Sequence, residues 1–468
     1  MAVCLPLFLA QILFAQVRLP DSPQGKIVHA YVDAFNSGDD NKLRDFFLEN
    51  VSKEGLAERP VEARMERIKS IRMDIKSLSV IKVLNVGESE INVTAKTGNN
   101  DFATLSFKFE TGSHKFAGVG ITMGEELPVG GPPMSKKEFL AKLSQDLVQR
   151  TREDKFSGAV LVQRGETVLI KKAFGLADKR FYVTNRTDTK FNIGSICKYF
   201  TRVAIGQLAE SGKLFLDDKI IKYLPDYPNA AVAQKVTINQ LLTMRSGMGD
   251  FFGVRFDDAA KDKINTLNDY MKFFVNDTLL FEPGTQRRYS NAGFIVLGLI
   301  VEKLSGKDYY SYMREHIFDP AGMNNTGWYP LSGLTPNLAT GYTRPSDNDQ
   351  TWISNIHMLP GRGSSAGGGY TTLDDMVLFI RALLNGKLLS PKYSQWVVTG
   401  DLPSTEPPLP LKHGGAGIAG GTAGVNASVE FDAASGDIVI VLANEDPPSA
   451  EDVGKTISGW LKRLDGTK

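Results

Sequence analysis

The stretch Phe191-Asn192-Ile193-Gly194-Ser195-Ile196-Cys197-Lys198 runs into an amphipathic segment that carries Phe200, Val203, Ala204 and Leu208 on one face and stops at Gly212. That spacing predicts a helix beginning beside Ser195, with Ser195 and Lys198 at i and i+3 on the same face, one turn apart. At a helix start the dipole and the free N–H groups favour developing negative charge. A partly desolvated lysine there can lose its proton and accept one from the neighbouring hydroxyl. These are the requirements of a nucleophilic serine that works without histidine as its base. S-x-x-K alone is a weak signal, because an N-cap serine followed by a solvated lysine is common; its weight comes from the surrounding stretches.

Two of these hold further reactive residue types. Arg288-Tyr289-Ser290-Asn291 follows the turn EPGT at 282–285 and precedes the apolar segment 294–304. Tyr289 and Asn291, two apart at a loop, can project into one cleft, where a phenol near a lysine ammonium has its pKa lowered and relays a proton. Lys412-His413-Gly414-Gly415-Ala416 opens a glycine-rich run, followed by a hairpin pattern over 427–432 and 437–443. Glycines there let a substrate lie against a strand edge, with a backbone N–H aimed at an oxyanion. Thr237-Ile238-Asn239-Gln240 reads as the capping box of a helix that stops at Gly247.

In this order the three motifs, S-x-x-K, Y-x-N and H-x-G, resemble the serine β-lactamase-related family that contains class C β-lactamases, D,D-carboxypeptidases and family VIII esterases. The resemblance covers about residue 136 to the C-terminus. It extends to LDDKIIKYLPDYP, TINQLLTMRSGM, FEPGTQRRYSNAGFIVLGLIVEKLSG, AGGGYTTLDDMVLFIRALLNG and IVIVLANED. It implies an α+β fold of the β-lactamase/transpeptidase type: an antiparallel sheet flanked by helices, beside an all-helical region, with the active site between them. Carried over residue by residue, it implies Ser195 as the acylated nucleophile and Lys198 as its proton acceptor. Tyr289 is implied as the base that returns the proton to the leaving group and activates the deacylating water. Asn291 would hold the substrate amide or the Lys198 side chain, and His413 with Gly415 would line the opposite wall. The N–H groups of Ser195 and Ala416 would form the oxyanion hole. The chain departs at the third motif, where His413 stands in place of the usual lysine and Gly414 in place of threonine. Those two normally receive a β-lactam carboxylate, so their loss favours an uncharged ester or a small peptide.

The expected function is a serine hydrolase acting through an acyl-enzyme on short-chain esters or D-amino-acid peptides and amides, with weak β-lactam hydrolysis as a side activity. A penicillin-binding-like receptor or pseudoenzyme that binds without efficient turnover is the competing reading. Retention of both Lys198 and Tyr289 argues against it, because a binding-only site needs no proton relay. Cys197 is a rival nucleophile, but the helix turns it away from the Ser195/Lys198 face, which favours buried packing.

Composition bounds the rest. The 468 residues predict two or three domains, and 54 Lys+Arg against 53 Asp+Glu leave a net charge of +1, which disfavours nucleic acid as a partner. Two cysteines and five scattered histidines form no disulfide framework and no metal motif, and neither a P-loop nor a Rossmann fingerprint implies a cofactor. Residues 2–15 (AVCLPLFLAQILFA) are uncharged and end in a small residue. They are read, within 1–20, as an export signal to the periplasm or exterior of a bacterial-type cell; if they are not a signal, the location is cytoplasmic. The run is too short for a membrane span, and 294–301 (FIVLGLIV) reads as a buried helix. Residues 21–124 read as a small α+β accessory module, helices followed by an antiparallel meander. Its AYVDAFNSGDDNKLRDFF resembles the opening helices of nuclear-transport-factor-2-like cones. A Pro/Gly linker at 125–135 separates it from the 136–468 hydrolase domain. The motifs specify no oligomeric state.

Overall fold

Alternation and capping account for both halves of the chain. In the computed structural model the described residues are 19–110, 112–123, 133–346, 351–399, 415–433 and 435–464. The expected signal as far as residue 18, most of the expected linker, and His413 lie outside them.

The chain divides into two units, Met1–Gly131 and Pro132–Lys468. The first opens with helix α1 (Pro23–Ser37), capped by the Ser22 side chain and ended at Gly38 in the left-handed region, and α2 (Asp40–Asn50), capped by Asp39. α3 (Lys53–Glu58) and α4 (Val61–Ile75) follow; the basic stretch around 59–76 is therefore a helix that buries Met65, Ile68 and Ile75. Strands β1 (Leu78–Val86), β2 (Glu90–Thr97), β3 (Phe102–Phe109) and β4 (Phe116–Met123) pair in sequence order as an antiparallel meander. Tyr31, Phe46, Phe107 and Phe116 pack ring against ring beneath it. His29 and Asp33 pair with each other at 2.8 Å on the exposed face of α1.

The second unit begins with α5 (Lys136–Arg152), whose Ser135/Glu138 capping box is complete, and the hairpin β5 (Gly158–Arg164) and β6 (Thr167–Phe174). Three strands from the far end of the chain, β7 (Gly415–Thr422), β8 (Val425–Asp432) and β9 (Asp437–Ala443), join them in an antiparallel sheet of order β7-β8-β9-β5-β6. Asp437 pairs with Arg164 and Ala443 with Gly158, so the two ends of the domain close one sheet. The period of two divides its faces. Val160, Val162, Val439 and Val441 pack with Phe139 and Leu147 of α5, whereas Ala159, Leu161, Ile440 and Leu442 join the larger core of the helical region.

That core is built around α6 (Cys197–Glu210) and α7 (Asn291–Ser305). Residues 294–301 of α7 are all buried in protein. No helix among the described residues is long and apolar enough to cross a membrane. The Thr237/Gln240 capping box is formed, but its helix ends at Leu242 rather than running to Gly247.

Candidate active site

Ser195 sits in a tight turn, Gly194–Ile196, that leads directly into α6. Gly194 has φ +49°, and a Cβ there would come within 3.0 Å of the Gly421 nitrogen. Only glycine tolerates that backbone and that approach together. Gly420 is more restrictive: a Cβ would lie 2.2 Å from the Ile193 carbonyl oxygen and 2.8 Å from the Ser195 nitrogen. The Gly420-Gly421 edge of β7 is thereby pressed against the turn that carries Ser195.

Lys198 is 6% exposed and donates to Ser195 Oγ at 3.1 Å, to Asn291 Oδ1 at 2.6 Å and to the Ala366 carbonyl at 2.5 Å. Burial is the main cause that brings its pKa down to about 7, only partly opposed by the nearby Asp250 charge. Asn291 is the first residue of α7, after the N-cap Ser290; its Nδ2 donates to Asp250 Oδ2 at 2.8 Å, which leaves Oδ1 for the lysine. Ala366 is brought in by pairing of Phe191 and Asn192 with Thr371 and Tyr370. Tyr289, half exposed, donates its hydroxyl to Ser195 Oγ at 2.6 Å. Ser195 Oγ thus lies between an amine that is largely able to lose its proton near neutral pH and a phenol.

The phenol differs from expectation. Burial raises its pKa above 10, with the Ser195 hydrogen bond opposing only in part. Lys198 Nζ lies over the Tyr289 ring, 4.8 Å from its centroid, but the direction of the phenol's shift is set by its burial. Cys197 is fully buried, its Sγ accepts from the Gly369 N–H at 3.2 Å, and burial pushes its thiol up to about 12. It is a packing residue.

A cavity of about 480 Å³ opens on Ser195. Phe251, Phe252, Phe256, Tyr270, Met358 and Leu359 give it an apolar wall, and Ala419, Gly420, Gly421 and Thr422 of β7 another part of its lining. Among the described residues no three His, Cys, Asp or Glu side chains group so as to hold a metal ion.

The comparisons agree with this architecture. Residues 143–461 match the family model described as Beta-lactamase. The chain belongs to the β-lactamase family. A Bacillus subtilis relative, penicillin-binding protein PbpX, is 33% identical over 263 residues, covering 56% of this chain and 63% of that protein, so the chain spans less than two thirds of its length. The structure of a penicillin binding protein from Bacillus halodurans is similar with TM-score 0.58 and 31% identity, over 66% of this chain and 98% of that one. A D-amino acid amidase from Ochrobactrum anthropi has the same fold, with TM-score 0.58 and 22% identity over 69% of this chain and 98% of that one.

Within this β-lactamase-family domain the fold brings Ser195, Lys198, Tyr289 and Asn291 together. Gly415 and Ala416 begin β7, where they pair with Asp432 and Phe431; His413 lies outside the described residues. The stretch of β7 that reaches Ser195 is Gly420-Gly421, about 15 Å further along a strand at 3.3 Å per residue. A signal for this was present: Thr422 pairs with Val425 across a two-residue turn, and counting back from that turn selects the second glycine pair. No local pattern marks Asp250 or the Ala366 carbonyl, because each acts through the fold, far in sequence from the group it supports.

Proposed function

We propose that this protein is a serine hydrolase that works through an acyl-enzyme on Ser195. The observation that carries the reading is the simultaneous reach of Lys198 and Tyr289 to Ser195 Oγ, at 3.1 and 2.6 Å, with a lysine whose pKa is about 7. Ser195 Oγ attacks the substrate carbonyl and its proton passes to Lys198 Nζ. The tetrahedral oxyanion is met by the Ser195 N–H and an N–H of the Gly420-Gly421 edge, in place of Ala416. β7 is an edge strand, which leaves backbone donors outside the sheet. Tyr289, protonated across the working range, donates to the leaving group and is restored by the proton held at Lys198. Water then attacks the acyl-enzyme with Lys198 as base, and Ser195 recovers its proton.

Short-chain apolar esters and D-amino-acid peptides or amides fit this cleft better than carboxylate-bearing lactams, because its wall is aromatic and no Lys, Arg or His lines it among the described residues. Weak lactam turnover remains part of the proposal, as do export of the chain and an accessory role for the nuclear-transport-factor-2-like first unit. The test is hydrolysis of p-nitrophenyl acetate and butyrate beside a chromogenic cephalosporin, with intact mass after incubation, for wild type and Ser195→Ala. Ester turnover that disappears in the variant supports the proposal. Ester turnover that survives rejects it, and a stable lactam adduct on Ser195 without ester turnover favours the receptor reading.

A further inference from the structure

Glu451 is the single carboxylate lining the cavity among the described residues. It lies in the first turn of helix α8 (Ser449–Leu461). Its Oε1 accepts from Asn426 Nδ2 at 2.9 Å. Asn426 is fully buried on β8, opposite Gly421; its Oδ1 takes the N–H groups of Ala450 and Glu451 at 2.6 and 3.1 Å, and its Nδ2 also reaches the Gly420 carbonyl at 3.3 Å. One buried amide therefore fixes both the strand edge beside Ser195 and the carboxylate. Glu451 Oε2 has no hydrogen-bond partner among the described residues. An acid in the first turn of a helix is ordinarily a complement to the dipole and needs no such anchoring. Here it is anchored to Asn426, in a cavity that no Lys, Arg or His lines among the described residues.

We propose that Glu451 is a specificity-determining residue that receives an ammonium group of the substrate, so that the cleft selects amine-bearing esters and amides over their N-acylated or carboxylate-bearing counterparts. The proposal rests on the acyl-enzyme reading of Ser195 and names the charge of the substrate that site takes. A charge-assisted hydrogen bond to Oε2 supplies the attraction, and the Glu451 charge disfavours anions.

The test is competition against p-nitrophenyl acetate hydrolysis by D-phenylalaninamide, N-acetyl-D-phenylalaninamide and N-succinyl-D-phenylalaninamide. The free amine should compete about tenfold better than the N-acetyl compound and better still than the succinyl one. Glu451→Gln, which keeps an oxygen for Asn426, should bring the three inhibition constants within about twofold, and Glu451→Lys should invert the order. Asp452→Asn, next along the helix and outside the cavity, should keep the wild-type order. An amine preference that persists in Glu451→Gln, or no competition by any of the three, overturns the proposal while leaving the Ser195 reading intact. Ester hydrolysis that survives Ser195→Ala overturns both.

Discussion

Lys198 lies one helical turn from Ser195, but its chemistry depends on what surrounds it. A lysine acts as a base only when neutral, so with a pKa of about 7 its competent fraction grows as pH rises through neutrality. The ester kcat/KM should therefore climb tenfold per pH unit below about 7, level off above it, and hold to about pH 10, because Tyr289 is raised rather than lowered. A profile that is flat from pH 5 to 9 would remove Lys198 as the base. Lys198→Ala should cost about 10²- to 10⁴-fold in kcat/KM. The Asp250 charge holds the lysine's pKa up, so Asp250→Asn should move the rising limb to lower pH. At this scale the Ser–Lys and Tyr–Asn pairs were legible, because each is set by spacing within one turn or loop. The direction of the Tyr289 shift was not, since it depends on how deeply the tertiary fold buries the phenol.

At the scale of elements, β7 governs the site through two glycines. Gly420→Ala would drive a methyl into the Ile193 carbonyl and the Ser195 nitrogen, so β7 and the Ser195 turn must separate. The expected result is a kcat loss of about tenfold or more and a stability loss of roughly 1–3 kcal/mol, read by ester kinetics and by urea unfolding. Gly417→Ala on the same strand meets nothing nearer than the Glu430 Cγ at 3.8 Å and should be silent in both. The helices, the hairpin and the meander could be read from caps and alternation. The register of β7 could not be read from its own residues. A run of glycine and alanine has no two-residue hydrophobic period to say which residue faces which.

Each unit carries hydrophobic core of its own: among the described residues one cluster lies in the first unit and two lie on the two faces of the sheet in the second. Calorimetry of the full chain should show two unfolding transitions. Phenylboronic acid at about 100 times its Kd, binding at Ser195, should stabilise one of them by about 2.7 kcal/mol and leave the other in place. A single transition that moves as a whole would mean the units unfold together. By itself the sequence determined what is local: the helix that presents Ser195 and Lys198 on one face, the caps, the alternating strands and the division into two units. These follow from periods of 3.6 and 2 and from side chains that bond their own neighbours. Only the tertiary structure decided which distant groups complete the site. Asn291 is 93 residues from Lys198 and the Ala366 carbonyl 168. They arrive because the last strands of the domain pair with its first and because Phe191 and Asn192 pair with Thr371 and Tyr370. Burial follows from that closure. It is burial, rather than sequence spacing, that gives Lys198 a pKa near 7.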